Sequence, residues 1–252
     1  MATSLEELKK RINKPQATKQ RRKILLYGPS GVGKTSLFYD AKDTLILDVE
    51  HGTSVLERES YFKETDHDSQ VEVLQLTSWE DVQGIFMALQ SGELRFTNIV
   101  LDSLTDIREL CKAHVVSTEK RSRISDDVPS QQDWNVITER MRKMIRQFKA
   151  LDCNVIYVCR EYTYKDEETG SVFVRPAIGG KLEDDLPGMM DITAYMNIGK
   201  EKKRVIAFEL DGKYYAKDRT NRFPKFLENP TWADFEKALP ELVPDNLKTK
   251  TA

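Results

Sequence analysis

Cysteine is scarce in this sequence of 252 residues, and glycine and proline are too few for a fibrous or low-complexity chain. The three cysteines, Cys111, Cys153 and Cys159, are odd in number and show no CxxC spacing. This argues against both a disulfide framework and a cysteine zinc site. With 39% hydrophobic and 32% charged residues, the composition is that of an ordinary globular protein with reduced cysteines in its core.

Long hydrophobic runs are also missing. No uninterrupted apolar stretch approaches the roughly 20 residues that a membrane-spanning helix needs. Residues 1–23 lack the hydrophobic segment of a signal peptide. The sequence therefore predicts no membrane partner and a cytoplasmic location.

Charge of one sign does not dominate either, because 39 basic and 41 acidic side chains give a formal charge of -2. That balance gives no indication of nucleic-acid binding. The distribution is uneven, since residues 1–27 are strongly basic and the remainder is acidic. A basic arm can attract phosphate or dock on a neighbouring subunit, and a solvated tail is the alternative. We expect a basic N-terminal arm over residues 1–21, a folded core over 22–239 and a flexible tail over 240–252.

Strand-like and helix-like segments alternate from residue 22 onward. The apolar strand-like runs are 23–27, 44–49, 71–76, 98–101, 154–159 and 191–197, and the helix-like segments are 34–41, 78–91, 104–120 and 133–151. Such alternation predicts an α/β fold with a mainly parallel sheet flanked by helices. Near the C terminus, Asp211 and Gly212 separate two alternating runs, 203–210 and 213–216, and predict a β-hairpin.

The pattern G-x-x-x-x-G-K-[ST] follows the first apolar strand and precedes a helix-compatible segment, which is the context of a phosphate-binding loop. Glycines let backbone N–H groups face the phosphates, Lys34 reaches the terminal phosphates, and the Thr35 hydroxyl binds Mg²⁺. The sequence therefore predicts ATP and Mg²⁺ as cofactors. The predicted nucleotide-binding residues are Gly28, Pro29, Ser30, Gly31, Val32, Gly33, Lys34, Thr35 and Ser36.

Two carboxylates complete the predicted site. Asp102 ends an apolar strand and is the second candidate metal ligand, and the alternative is an N-cap for the helix that begins at Leu104. Asp48 and Glu50 lie two residues apart at the end of another strand, and we expect them on the same side of it. Glu50 is the candidate catalytic base, and a solvated loop carboxylate is the alternative.

These motifs resemble those of the RecA superfamily. Asp48, Glu50 and His51 match an I-D-x-E-H-type run whose glutamate is catalytic, and Asp102 with the following serine resembles the second RecA motif. The resemblance covers about residues 23–224 and implies a RecA-like P-loop NTPase core. Within the superfamily, the sequence is most similar to small phage-encoded recombination ATPases of the Sak type, which are single-strand annealing proteins. It departs from RecA at Arg160 and Glu161, which stand where RecA has a glutamine that senses the γ-phosphate.

The resemblance implies that single-stranded DNA binds two loops, here 121–132 and 161–181. The second combines aromatic rings for base stacking with cations for phosphates, and adjacent glycines that permit close backbone approach. Phe173 is a further candidate ring, and Asp166, Glu167 and Glu168 leave a plain β-hairpin with an acidic tip as the alternative. The predicted DNA-binding residues are Tyr162, Tyr164, Lys165, Arg175, Gly179, Gly180 and Lys181.

Lys217 and Arg219 form a K-x-R pattern near the end of the core. It resembles the motif by which several RecA-fold ATPases insert cations into a neighbour's nucleotide site. Such a pair would stabilise charge on the γ-phosphoryl oxygens in the transition state. A positively charged surface turn is the alternative.

Together these features predict a Mg²⁺-dependent ATPase of DNA recombination that oligomerises on single-stranded DNA, is stimulated by it, and promotes annealing or strand pairing. A single-strand DNA-binding protein is a candidate partner, and the location would be the host cytoplasm if the protein is phage-encoded. The alternative is a nucleotide-dependent switch or loader that acts on a protein partner such as a helicase or packaging machinery. A small-molecule kinase is disfavoured because no substrate lid is evident.

Overall fold

The computed structural model describes residues 21–57, 71–125, 127–168 and 170–244, together with the single positions 6 and 9. The predicted basic arm lies almost entirely outside these residues. The strands are β1 (Lys23–Gly28), β2 (Thr44–Asp48), β3 (Val71–Gln75), β4 (Asn98–Asp102), β5 (Asn154–Lys165), β6 (Val172–Pro176), β7 (Ile192–Ile198), β8 (Arg204–Ala207), β9 (Lys217–Asp218) and β10 (Phe226–Glu228). The α-helices are α1 (Trp79–Ser91), α2 (Leu104–Thr118), α3 (Gln131–Lys149), α4 (Leu182–Met189) and α5 (Trp232–Ala238).

Most of the described strands form one sheet, in the order β10-β8-β7-β1-β5-β4-β2-β3. The six strands from β7 to β3 in this order run parallel, whereas β8 and β10 are antiparallel additions at one edge. The carboxyl ends of β1, β2, β4 and β5 therefore meet at the same edge of the sheet. That edge is where ligands bind in open α/β sheets. The predicted α/β class with a mainly parallel sheet is confirmed.

Both faces of the sheet are covered, because β1 alternates its buried side chains between two apolar layers. Leu25 and Tyr27 pack with α1, α2 and α3, while Ile24 and Leu26 pack with the segment after β1 and with α5. The predicted apolar stripe of α3 is buried on the first layer. Among the described residues, no helix combines the length and hydrophobicity that crossing a bilayer requires.

Local hydrogen bonds define where the helices begin. A capping box joins Ser78 to Asp81 at the start of α1, and Ser130 to Asp133 at the start of α3. The helix predicted over 34–41 is shorter than expected, since only a 3₁₀ segment, Thr35–Phe38, forms there. The chain must enter β2 within a few residues, which leaves no room for a longer helix.

The C-terminal region differs from the prediction in two ways. The antiparallel hairpin is formed by β7 and β8 around residues 199–203, not around Asp211 and Gly212, because β8 pairs with β7 and β10. The segment 240–252 was expected to be flexible throughout, yet Pro240–Leu242 forms a 3₁₀ turn and Leu242 is fully buried. Arg22 also forms an ion pair with Glu241 over 2.8 Å. The packed core therefore extends to this turn, and residues 245–252 lie outside the described residues.

Candidate nucleotide-binding site

The predicted phosphate-binding loop leaves the carboxyl end of β1 at the centre of the sheet. Its residues from Ser30 to Ser36 line a cavity of about 440 Å³. Glu50, Asp102 and Arg160 line the same cavity from the ends of neighbouring strands. The structure therefore brings the loop, the candidate metal ligand and the candidate base together, as the sequence predicted.

Lys34 is buried and lies along its own loop. Its Nζ donates hydrogen bonds to the carbonyl oxygens of Gly28 over 2.9 Å and Pro29 over 2.7 Å. Burial lowers the pKa of Lys34, and the charges of Asp102 and Glu50 oppose that shift. The ammonium group is thus held at the loop by neutral carbonyl groups, which phosphate oxygens can replace as stronger acceptors.

Thr35 and Asp102 provide oxygen atoms suited to a magnesium ion. The Thr35 hydroxyl donates to Asp102 Oδ2 over 2.6 Å. Burial raises the pKa of Asp102 to about 6, and the neighbouring carboxylates of Glu50 and Asp48 add to the effect. Mg²⁺ typically takes one or two protein oxygens and keeps several waters, so this donor pair fits the ion. Across the described ranges, no group of three or more His, Cys, Asp or Glu side chains could hold a metal.

Asp102 does not cap the following helix. The cap of α2 is Ser103, whose hydroxyl accepts a hydrogen bond from the backbone N–H of Asp106. The capping alternative for Asp102 is therefore wrong, and its carboxylate faces Thr35 instead.

Glu50 lies in a hydrogen-bonded cluster beside the loop. The Ser103 hydroxyl and Arg160 Nε each donate to Glu50 Oε1 over 3.0 Å. Arg160 also donates to Asp106. Hydrogen bonding, first from Asp106, holds the pKa of Glu50 below its usual range, whereas burial and Glu50 raise the pKa of Asp106 to about 6. Glu50 is therefore ionised at neutral pH and held by several partners.

Asp48 has a different role from Glu50, contrary to the expectation that both lie on one side of a strand. β2 ends at Asp48, and the chain then turns through His51, whose φ is 56°. Asp48 is buried and accepts hydrogen bonds from the Thr53 hydroxyl over 2.7 Å and the Gln75 amide over 2.9 Å. It stabilises the turn, while Glu50 faces the nucleotide cavity.

Three cationic side chains that the sequence motifs did not identify as site residues also border the cavity. Arg160 was noted only as a departure from RecA, and it contacts Glu50 directly. Lys202 lies in the turn between β7 and β8, and Arg204 is the first residue of β8. No local pattern marks these two residues, because only the pairing of β7 beside β1 brings this hairpin to the loop.

A family model described as an AAA domain, AAA_24, matches residues 20–220 of the chain. The chain belongs to the AAA_24 family of AAA domains. No curated protein matches the sequence significantly. The match includes the phosphate-binding loop, so this AAA domain is a nucleotide-binding P-loop domain of the ATPase type.

The structure of the AAA domain is similar to that of the RadB recombinase, with a TM-score of 0.51 and 12% identity, covering 82% of this chain and 86% of that one. At such low identity this likeness establishes the fold alone, and it confirms the predicted RecA-like core. An ATPase from the type III secretion system of pathogenic bacteria has a TM-score of 0.42 and 15% identity, covering 70% of this chain and 52% of that one.

The candidate DNA-binding segment of the AAA domain is a β-hairpin, β5–β6, which extends beyond the edge of the sheet where the nucleotide cavity lies. Tyr162 and Tyr164 are 51% and 41% exposed, and their rings stack with centroids 6.4 Å apart. Phe173 continues the stack 5.4 Å from Tyr164, and Arg175 lies 5.6 Å from the Phe173 ring. We call these four residues the aromatic ladder.

The other predicted DNA-binding residues lie elsewhere. The strand register places Lys165 opposite Val172, on the face of the hairpin away from the ladder. Gly179 and Gly180 have φ values of 77° and 62° and precede α4, with Lys181 as its N-cap residue. A Cβ on Gly179 would lie 2.6 Å from the Arg108 guanidinium, so packing already accounts for that glycine.

The first predicted DNA loop, 121–132, has its arginines engaged by carboxylates. Arg123 donates twice to Asp133, which is fully buried, and also to backbone carbonyls. Arg121 lies 3.4 Å from Glu119 and 3.8 Å from Asp133. These ion pairs hold the loop against α2 and α3, which leaves little charge for phosphates.

Lys217 and Arg219 lie far from their own nucleotide cavity. Lys217 lies on β9, which pairs with the beginning of β7, and the backbone N–H of Arg219 just after it donates to the Asp191 carbonyl. The phosphate-binding loop lies beside the other end of β7. Arg219 donates to the Gly188 carbonyl over 3.0 Å. Burial and the Arg219 charge lower the pKa of Lys217 to about 8. The pair therefore cannot serve its own loop.

Proposed function

We propose that the chain is a Mg²⁺-dependent ATPase of DNA recombination that assembles on single-stranded DNA and promotes annealing or strand pairing. The observation that carries the ATPase part is the convergence of Lys34, Asp102 and Glu50 on one cavity. A positive loop, a metal ligand and a base are the parts that phosphoryl transfer to water requires.

The role of each side chain follows from its position. Lys34 binds phosphate oxygens, and Thr35 and Asp102 hold Mg²⁺. Glu50 Oε1 accepts the proton of the attacking water, for which it must leave its contacts with Ser103 and Arg160. Bound ATP would supply the γ-phosphoryl group, which is transferred to that water as the bond to the β-phosphate breaks and ADP leaves.

The aromatic ladder supports single-stranded DNA as the partner. Tyr162 and Tyr164 are exposed, and across the hairpin Arg175 lies opposite Tyr162 and Phe173 lies opposite Tyr164. Such a patch of stacked rings with a cation is the kind of sequence-tolerant surface that binds single strands. The similarity in fold to a protein named as a recombinase also supports a role in DNA recombination. Annealing of the Sak type, self-assembly, a single-strand DNA-binding partner and a cytoplasmic location belong to this proposal.

The two sites are linked through one strand. Arg160, which holds Glu50, lies two residues before Tyr162 on β5. DNA that reorients the ladder can therefore shift the Arg160 contact and release Glu50. This link gives the proposed stimulation of ATP turnover by DNA a physical route.

The test is ATP turnover with and without a single-stranded oligonucleotide at two salt concentrations. We expect stimulation, with DNA affinity falling at a log-log slope of about -0.7 per phosphate contacted. A Tyr162→Ala, Tyr164→Ala protein should lose DNA affinity by about tenfold or more, since each stacked base contributes about 1–3 kcal/mol. Thr163→Ala, on the opposite face of the hairpin, is the matched control. Equal DNA binding by both variants would remove the ladder from the proposal.

A switch or loader acting on a protein partner is the second candidate. It is favoured by the carboxylates at the hairpin tip, Asp166, Glu167 and Glu168, which repel a phosphate backbone. ATP turnover that is measurable but indifferent to oligonucleotide at both salt concentrations would favour this candidate over the first.

A further inference from the structure

Arg204 begins β8 and lies directly against the phosphate-binding loop. A Cβ on Gly33 would lie 2.9 Å from Arg204 Nη1 and 3.2 Å from Arg204 Cδ. Gly33 has a φ of 98°, so the loop at this point needs glycine for its conformation as well as for the approach of the guanidinium. Arg204 thus occupies the wall of the cavity next to Lys34.

The positive charges around the cavity differ in whether they are already compensated. Arg160 is held by the carboxylates of Glu50 and Asp106. The Arg204 side chain has no ion pair or side-chain hydrogen bond among the described residues, although it lies beside a loop built for anions. The uncompensated guanidinium is therefore available to an anionic ligand.

We propose that Arg204 binds the phosphates of a nucleoside di- or triphosphate in its own subunit. The proposal rests on the proposed nucleotide site and adds to it a phosphate-binding residue that lies outside the loop motif. A guanidinium offers planar, bidentate hydrogen bonding to phosphate oxygens, and Arg204 needs no large movement because it already lines the cavity.

The fold makes this contact intramolecular. Arg204 on β8 lies opposite Ile198 on the antiparallel neighbour β7. Strand β7 in turn lies beside β1, which leads into the loop. Lys217 and Arg219 lie at the opposite end of β7, where only a neighbouring subunit's nucleotide could reach them. When two inactive variants are mixed, a defect at Arg204 and a defect in the K-x-R pair should therefore differ in whether ATP turnover recovers.

The first experiment measures ATP and ADP affinity of Arg204→Met, which keeps the aliphatic stem against Gly33 and removes the charge. We expect affinity for at least one of the two nucleotides to fall by about 10- to 100-fold, the range for losing hydrogen bonds to a charged group. Lys203→Met is the matched control, because the neighbouring Lys203 pairs with Glu201 and Glu228 instead. Arg204→Gln replaces the methionine variant if that protein does not fold.

Unchanged affinity for both nucleotides in a folded Arg204 variant would overturn the proposal. Lys34→Ala, measured beside it, separates this failure from a failure of the nucleotide site itself. If Lys34→Ala loses binding and Arg204→Met does not, only the Arg204 assignment is wrong. If neither loses binding, the proposed site is wrong as well.

A second experiment tests the intramolecular placement. Arg204→Met protein is mixed with Glu50→Gln protein, and ATP turnover is compared with that of each alone. Because each subunit then carries one defect in its own site, we expect no recovery. Recovery of turnover on mixing would mean that Arg204 acts on a neighbour and would overturn the assignment.

Discussion

Replacing Asp102 with asparagine should stabilise the nucleotide-free protein while removing its response to Mg²⁺. The side chain of Asp102 is buried at the end of β4, and burial is the main cause that raises its pKa from 3.8 to about 6. An ionised carboxylate there costs the folded state free energy. The neutral amide of the Asp102→Asn variant would avoid that cost, and its oxygen could still accept the Thr35 hydrogen bond.

The size of the effect follows from the pKa shift. At about 1.4 kcal/mol per pKa unit, ionised Asp102 costs about 3 kcal/mol at neutral pH. Because the folded-state pKa is raised, the full cost applies above about pH 6, where the carboxyl is charged in both states, and vanishes below about pH 4, where it is neutral in both. We expect Asp102→Asn to recover about 1–3 kcal/mol at pH 7.5, which raises Tm by roughly 2–10 °C.

The assay is thermal unfolding of the wild type and Asp102→Asn at pH 7.5 and pH 4.5, with and without ATP and Mg²⁺. The Tm difference should shrink at the lower pH, and Mg²⁺ should no longer increase the stabilisation by ATP. A variant that is no more stable than the wild type at pH 7.5, or a Tm difference independent of pH, would refute the reasoning.

Asp48→Asn is the matched control with the opposite expected sign. Asp48 ends the neighbouring strand in register with Asp102, and it accepts from Gly52, Thr53 and Gln75. One amide oxygen cannot replace two carboxylate oxygens in that role. We expect a loss of about 1–3 kcal/mol and a lower Tm at pH 7.5.

Three further outcomes are expected, two for residues of the nucleotide site and one for the K-x-R pair. Lys34→Ala should abolish ATP binding in a titration, because it removes the charge that faces the phosphates, and retained affinity would argue against the phosphate-loop assignment. Glu50→Gln should still bind ATP and Mg²⁺ while turnover falls by about 10²- to 10⁴-fold, and unchanged turnover would make Glu50 a loop carboxylate. Arg219→Ala should be nearly inactive alone and partly active when mixed with Glu50→Gln, since a finger acting on a neighbour can contribute about 10³–10⁵ in rate. If mixed oligomers form but ATP turnover does not recover, Arg219 is only a residue of a positively charged surface turn.

The amount that could be predicted from the sequence depends on how local each feature is. Apart from β5, the strands of the parallel sheet were predicted nearly to their ends, because continuous apolar runs bounded by polar residues suffice to mark them. The prediction of a hairpin turn at Asp211 and Gly212 was wrong, because β8 pairs with β7 and β10 and not with residues 213–216. β5 also continues to Lys165 through a polar segment that carries no apolar pattern.

The sequence by itself determined the phosphate-binding loop, since the loop is contiguous and its glycines, Lys34 and Thr35 act through local backbone geometry. It also determined that Asp102 ends one apolar strand and Glu50 follows another, and that both therefore lie at the carboxyl edge of a parallel sheet. Only the tertiary structure decided which distant cations meet that edge. Arg160 and Arg204 are far from the loop in the chain, and sheet order and strand register bring them to it. Contacts set by register depend on the packing of the whole sheet, which no local pattern of residues encodes.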